Sequence, residues 1–447
     1  MKSGIATLWA TGALCLAGFH PTLQAQDNLL IVIADDVGVD MLECYHEGSA
    51  APPTPTIDAL AARGLLFRNA WSNPVCSPTR ATMMTGRYGF RTGIGNVVNP
   101  ISPALSLEEW TLPEILEASG SPYRNASFGK WHLGNNSNGG ADAPNLSGWE
   151  HFSGILAGAP PNYYLWPKTV DGRTGIQWAY ATSDNVNDAS RWIRNQSDPW
   201  LCWLAFNAPH TPYHIPPADL HDYALQPGPL AAAQNPLPYY QAALQALDSE
   251  LNRLFVELGR ERMLRTNVIL LGDNGTPFQV TQAPFDPNHA KGTLYEGGVN
   301  VPLIMAGPAV QARGMECSAL VNTTDLFATA LELAGVDLEN QLPEGLIHDS
   351  VSVLPYLTHP QQPSIRETVF AEIFGLGTNP LTVPAGKTIR DSRFKLLRFD
   401  SGREEFYDLQ QDPFEQENLL RNLPLGLNAR LAYRRLNDAL DSLLNDA

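Results

Sequence analysis

The chain has 447 residues and carries 46 acidic against 29 basic side chains, a formal charge of −17. That length supports a large core plus a smaller second unit and excludes a peptide-scale binding module. The acidic balance excludes a general nucleic-acid binder, because such proteins displace phosphate counterions with basic surfaces.

Residues 1–25 combine Lys2, an apolar run from Ile5 to Phe19 and small Ala25, the pattern of a secretory signal. The expected location is therefore periplasmic or secreted. Cys15 lies in that run without a convincing lipid-attachment context. No other apolar run approaches the roughly 20 residues that span a bilayer, so stable membrane insertion is not expected. Cys44, Cys76, Cys202 and Cys317 remain, too scattered for a disulfide framework, although one bridge stays open.

The first element after the signal is "NLLIVIADD", a strand buried on both faces that stops at Asp35 and Asp36. "TPTIDALAARG" reads as a helix with Thr56 as cap and Gly64 as stop. Pro78 places Cys76 at or just before a helix N-terminus, where free N–H groups favour an electron-rich group. Arg80 lies one turn further on. Thr111 and Glu114 have capping-box spacing and lead into "YRNASFGKWHLG", a strand ending at Lys130 and His132.

"DNVNDASRWIRNQ" gives another helix, and "PWLCWLAFNAPH" a strand delivering His210. A helical segment from Tyr239 to Leu258, stopped by Gly259, precedes "TNVILLGDNG", which ends at Asp273 and Asn274. Alternating strands and helices imply a largely parallel sheet sandwiched by helices, with ligands beyond the carboxyl ends of the strands. Carboxylate and amide oxygens without cysteine pairs suit a hard cation such as Ca²⁺ or Mg²⁺. Residues 356–447 read as a smaller domain, an antiparallel sheet plus a closing helix carrying Leu427, Leu431, Leu436, Leu440 and Leu443 towards it. Residues 26–355 would form the larger α/β domain.

Together "ADD", "CSPTRATMMTGR", "GKWHLG", "APHTPYH", "GDNG", "KGTLYEGG" and "FYDLQQDPFEQENL" resemble the type I sulfatases, formylglycine-dependent enzymes of the alkaline phosphatase superfamily. The resemblance covers nearly all of the mature chain. It implies an alkaline phosphatase-like fold and an exported hydrolase of sulfate esters, acting on a sulfated carbohydrate or an aryl sulfate. Cys76 matches the cysteine that export-associated formylglycine-generating machinery oxidises. An aldehyde hydrate there would offer one hydroxyl to sulfur, form a sulfo-enzyme intermediate, and use the second hydroxyl to expel sulfate.

By the same resemblance, Asp35, Asp36, Asp273 and Asn274 would hold Ca²⁺, or Mg²⁺, in contact with residue 76. Lys130 and Lys291 would hold sulfate oxygens, and Arg80 would orient the hydrate. His132 would take the proton during collapse, and His210, helped by Lys291, would serve the leaving alkoxide. Tyr163, Tyr164 and Trp166, in a long loop, are candidate surfaces for a sugar or aryl ring. His214 and His289 lie near matched positions. Asn300 departs from the arginine that many family members place before Val-Pro, and the expected effect is on how the catalytic loop is pinned. A phosphate or phosphonate ester hydrolase of the same superfamily and a non-catalytic glycan- or anion-binding protein are the alternatives.

Overall fold

The computed structural model describes residues 27–375 and 384–446, so the expected export signal lies outside the described residues. Its strands in chain order are β1 Asn28–Ala34, β2 Leu65–Trp71, β3 Arg124–Lys130, β4 His151–Ile155, β5 Trp166–Val170, β6 Arg173–Gln177 and β7 Trp200–Ala205. They continue as β8 Thr266–Gly272, β9 Leu303–Ala306, β10 Met315–Asn322, β11 Val369–Ile373, β12 Gly386–Arg390, β13 Phe394–Phe399 and β14 Glu404–Asp408. Ten strands form one sheet in the order β10-β2-β9-β8-β1-β7-β3-β4-β5-β6. Its centre, β8 through β4, is wholly parallel, whereas β9 and β5 run the other way.

The unbroken apolar runs follow from helices covering both faces. In β1, Leu29, Ile31 and Ile33 enter one core while Leu30, Val32 and Ala34 enter the other. In β7, Leu201, Trp203 and Ala205 alternate with Trp200, Cys202 and Leu204 in the same way. Ile31 pairs with Trp203 on one side and Ile269 on the other, so the three central strands end level. Gly129 permits the tight contact of β3 with β7: its φ is +88°, and a Cβ there would lie 1.9 Å from the Ala205 carbonyl oxygen.

Some local expectations shift. The helix expected to start at Thr56 spans Pro55–Arg63 and uses no side-chain cap of its own. Its first N–H groups, from Thr56 and Ile57, donate instead to Asp248 Oδ2 and Oδ1 at 3.1 and 2.8 Å. Asp248 belongs to the long helix Leu237–Met263, which breaks geometry at Gly259 (φ 74°) and then resumes rather than stopping there. The Thr111–Glu114 capping box is present. Cys44, Cys76, Cys202 and Cys317 are all free thiols. No helix among the described residues is long and apolar enough to cross a membrane.

The smaller sheet is antiparallel in the order β11-β12-β13-β14, and the helix Leu427–Asn445 packs on one face. Leu436 and Leu440 are buried there together with Ala432, as Leu443 is in part, but Leu427 and Leu431 are 61 % and 53 % exposed. Adjacent helical positions differ by about 100°, so the face that buries Ala432 turns Leu431 outward. The opposite face of the sheet, through Ile373, Leu397, Phe399 and Tyr407, packs on Val75 and Leu294. Those two residues flank the Cys76 and Lys291 segments.

A buried ion cluster completes this junction. Lys395, with no solvent exposure, lies 3.0 Å from Glu296 and 2.9 Å from Glu415, and Arg390 lies 3.1 Å from Glu296. The Lys395 ammonium also sits 4.7 Å from the centre of the Trp71 ring. Replacing Asp248 by Ala should cost about 1 to 2 kcal/mol by uncapping the Pro55–Arg63 helix, read as a lower denaturant midpoint. Lys395→Met should cost more, about 3 to 5 kcal/mol in the same measurement, because two buried carboxylates lose their shared cation.

Candidate active site

Four adjacent parallel strands, β8, β1, β7 and β3, present their carboxyl ends side by side. Asp35 and Asp36 follow directly on β1, Asp273 and Asn274 on β8, Lys130 ends β3, and the chain beyond β7 reaches His210. The helix Cys76–Thr85 points its first residue into this group. Asp36 and His132 both have left-handed backbone angles, φ 71° and 59°. Such conformations in non-glycine residues cost about 1 to 3 kcal/mol and persist where surrounding contacts enforce them.

Those contacts are ionic. Lys130 Nζ donates to Asp35 Oδ2 at 2.7 Å, and Arg80 Nε and Nη2 donate to Asp273 Oδ2 at 3.0 and 2.7 Å. Arg80 Nη1 also donates to the Lys130 carbonyl at 2.9 Å, tying the helix to the end of β3. Lys291 Nζ pairs with Asp36 Oδ1, and His210 Nε2 lies 3.7 Å from Asp36 Oδ2. Asn274 Nδ2 donates to Asp36 Oδ1 at 2.8 Å, and the Asp36 N–H donates to Asp273 Oδ1 at 3.1 Å. Cys76 Sγ sits 3.2 Å from His132 Nδ1.

This environment sets the protonation pattern. Burial, with Asp273 close by, pushes the Asp35 carboxyl up, against the pull of Lys130. Asp36 stays below the usual carboxylate range because His210 and Lys291 outweigh its burial. Burial also pushes Asp273 up, but Arg80, Lys130 and the Asp36 N–H together hold it below its usual range. Burial and the cations Lys130 and Arg80 keep the His132 imidazole neutral, and burial raises the Cys76 thiol. Burial also lowers His210, to about 4, against the pull of Asp36.

The oxygen donors fit a divalent cation. Asp35 Oδ1 and Asn274 Oδ1 are buried without a hydrogen-bond partner, and Asp35, Cys76 and Asp273 bring donor atoms within 4.8 Å of one another. Unsatisfied buried oxygens are costly, and a hard cation satisfies them without needing a donor hydrogen.

The candidate aromatics divide. Tyr163 and Trp166 are each 1 % exposed and leave no ring face for a sugar. Their polar atoms serve the scaffold: the Tyr163 hydroxyl donates to the Asn207 and His210 carbonyls, and Trp166 Nε1 to that of Ala179. The expectation that they stack on substrate is therefore corrected. Tyr164 stays 39 % exposed. His214 stacks on Tyr163 at 3.9 Å with both ring nitrogens engaged, by Pro212 and Tyr180. His289 stacks on Tyr295 at 3.6 Å.

Asn300 donates to the Arg68 carbonyl at 3.3 Å and bridges to Trp71 through its backbone, so it fastens the segment that follows Lys291 to β2. Some supporting groups had no sequence signal. The Tyr240 hydroxyl donates to the Asp36 carbonyl at 2.7 Å. Asp40 accepts from Thr276 Oγ1 and from the Gln282 N–H, and the Thr276 carbonyl in turn accepts from the Lys291 N–H at 3.0 Å. The Tyr240–Asp36, Thr276–Asp40 and Gln282–Asp40 pairs are each more than 200 residues apart and close only on folding.

Comparison with known proteins gives the family. The Sulfatase family model matches residues 27–336, and that of the N-sulphoglucosamine sulphohydrolase C-terminal region matches residues 287–437. Arylsulfatase J of Mus musculus is 26 % identical over 359 residues, which cover 74 % of this chain and 58 % of that protein. The chain thus spans less than two thirds of that relative. The ulvan-active sulfatase of Formosa agariphila is 24 % identical over 447 residues, covering 95 % of this chain and 82 % of that one. The crystal structure of Ps i-CgsB in complex with k-i-k-neocarrahexaose has a TM-score of 0.78 at 22 % identity and covers 94 % of this chain and 93 % of its own, a likeness of fold. With the first match extending over more than half its length, the chain belongs to the sulfatase family, the type I sulfuric ester hydrolases of the alkaline phosphatase superfamily.

Proposed function

We infer that the protein is an exported sulfatase that hydrolyses sulfate esters of a carbohydrate, with aryl sulfates as surrogates. The observation that carries this reading is the meeting of Cys76 and a neutral His132 with three carboxylates and three cations at adjacent strand ends. A carbohydrate substrate is supported by the relative named for activity on ulvan and by the similarly folded protein bound to neocarrahexaose.

Oxidation of Cys76 to formylglycine would supply a hydrated aldehyde able to accept a sulfuryl group and later release sulfate. A divalent cation, Ca²⁺ or Mg²⁺, would be held by Asp35, Asp36, Asp273 and Asn274 and would supply Lewis-acid polarisation. Lys130 and Lys291, now paired with Asp35 and Asp36, are the cations that would hold the oxygens of an anionic ester. Arg80 keeps Asp273 and the end of β3 in place.

His132 Nδ1, 3.2 Å from the side chain at 76, is placed to take a proton from it, which the neutral ring does there in its Nε2–H tautomer. His210 Nδ1 contacts the Thr211 carbonyl at 2.8 Å and so carries a hydrogen. Its Nε2 can therefore give a proton to a leaving oxygen when the ring is cationic, a form that an arriving anion favours. The Lys291 ammonium, on the same Asp36 carboxylate, assists there.

Rates on 4-nitrophenyl sulfate, 4-nitrophenyl phosphate and an aryl phosphonate, with protein from a host that makes formylglycine, test the reading. Sulfate should be preferred, and a clear preference for either phosphorus ester overturns it. Cys76→Ala should remove turnover, and His132→Ala should lower kcat by about 10² to 10⁴. Chelation should abolish activity, and Ca²⁺ or Mg²⁺ should restore it. The ion should stabilise the fold by about 2.7 kcal/mol at a hundredfold excess over Kd, an increment that Asn274→Ala reduces.

A further inference from the structure

The catalytic edge of the sheet continues past Lys130. Ile155 of β4 lies beside Lys130, and β5 runs back with Thr169 opposite Gly154, which brings Trp166 to the same edge. β6 then returns with Gln177 opposite Trp166, so Trp178 leaves the sheet at the edge that carries Asp35 and Lys130. It emerges three strands out from β3, roughly 14 Å at about 4.8 Å per strand.

Trp178 is 76 % exposed, although indoles are ordinarily drawn into a core. The backbone around it is well fixed. Its N–H donates to Gln177 Oε1 at 2.9 Å, the next carbonyl accepts from Trp166 Nε1 at 3.0 Å, and Ala181 N–H donates to the Tyr163 carbonyl at 2.9 Å. Tyr180 continues the link, with its ring 5.2 Å from that of Tyr164 and its hydroxyl 3.1 Å from His214 Nε2. Tyr163 closes it by donating to the His210 carbonyl at 2.7 Å. The backbone that carries the exposed indole is thus linked to the backbone that carries His210.

We propose that Trp178, together with Tyr164, forms a stacking subsite for a sugar ring distal to the sulfated one in an oligosaccharide or polysaccharide substrate. The inference rests on the carbohydrate sulfatase reading above. A pyranose presents an apolar face of C–H groups, and a rigid exposed indole covers such a face at little entropic cost. A chain of net charge −17 repels a sulfated polymer at long range, and stacking attracts it without needing a cation. Trp178 leaves the sheet on the same edge as Asp35 and Lys130.

The test compares wild-type protein with Trp178→Ala and Trp178→Phe, on 4-nitrophenyl sulfate and on size-graded ulvan and carrageenan oligosaccharides. Desulfation and binding are both followed, with sedimentation run on each protein. Trp178→Ala should raise KM or Kd for the longer oligosaccharides at least fivefold, leave aryl sulfate kinetics unchanged, and be largely rescued by Trp178→Phe. Identical oligosaccharide profiles for wild type and Trp178→Ala, including no binding by either, overturn the subsite. A wild-type dimer that Trp178→Ala dissociates also overturns it, because the occupant is then a second copy. Absence of sulfatase turnover in formylglycine-containing, metal-loaded wild type is a separate outcome that overturns the underlying reading as well.

Discussion

Asp35, Asp36 and Asp273 lie at the ends of strands packed on both faces, with no bulk water to solvate them, so other charges must do so. Arg80, Lys130 and Lys291 provide the balance within the protein, one to each carboxylate. Much of the surrounding architecture serves to hold these charges at hydrogen-bonding distance. The helix beginning at Cys76 delivers Arg80, the left-handed turn at Asp36 brings its N–H to Asp273, and Gly129 lets β3 approach β7 closely enough to place Lys130. The same arrangement leaves Asp35 Oδ1 and Asn274 Oδ1 unsatisfied, which gives a cation a place of its own.

The smaller sheet belongs to this economy of charge. Its outer face supports the closing helix, while its inner face packs on Val75 and Leu294 beside the Cys76 and Lys291 segments. Lys395 and Arg390 meet Glu296 just after Lys291, and Glu415 accepts the Glu296 N–H. A loop that must carry a charged lysine into a buried site is thereby fixed from outside the main sheet. The smaller sheet is thus a structural part of the site.

The strands that carry chemistry were legible because each is an apolar run ended by a charged or amide residue, and a parallel sheet gathers such ends on one edge. Asp35, Asp36, Lys130, His132, His210, Asp273 and Asn274 meet there for that reason, and a helix that starts at Cys76 brings Cys76 and Arg80 to them. What stayed hidden depends on pairings distant in the chain. Asp248 caps a helix nearly two hundred positions away, and Lys395 neutralises Glu296 from another sheet. Local pattern also misassigned some residues. Tyr163 and Trp166 share a loop composition with exposed Tyr164, yet only folding shows that two of these rings fill the core. Leu427 and Leu431 share the spacing of the buried leucines without sharing their face. Trp178 went unnoticed because nothing in its neighbourhood distinguishes an exposed tryptophan from a buried one.

The account stands on residue 76 being a nucleophile precursor rather than a buried thiol capping a turn. Mass spectrometry of the peptide containing Cys76, from protein exported by its native host and treated with a reductant and an aldehyde-reactive probe, tests this most directly. The account predicts a sulfur-free residue 76 that carries the probe. An unmodified cysteine in folded, natively processed protein would contradict it.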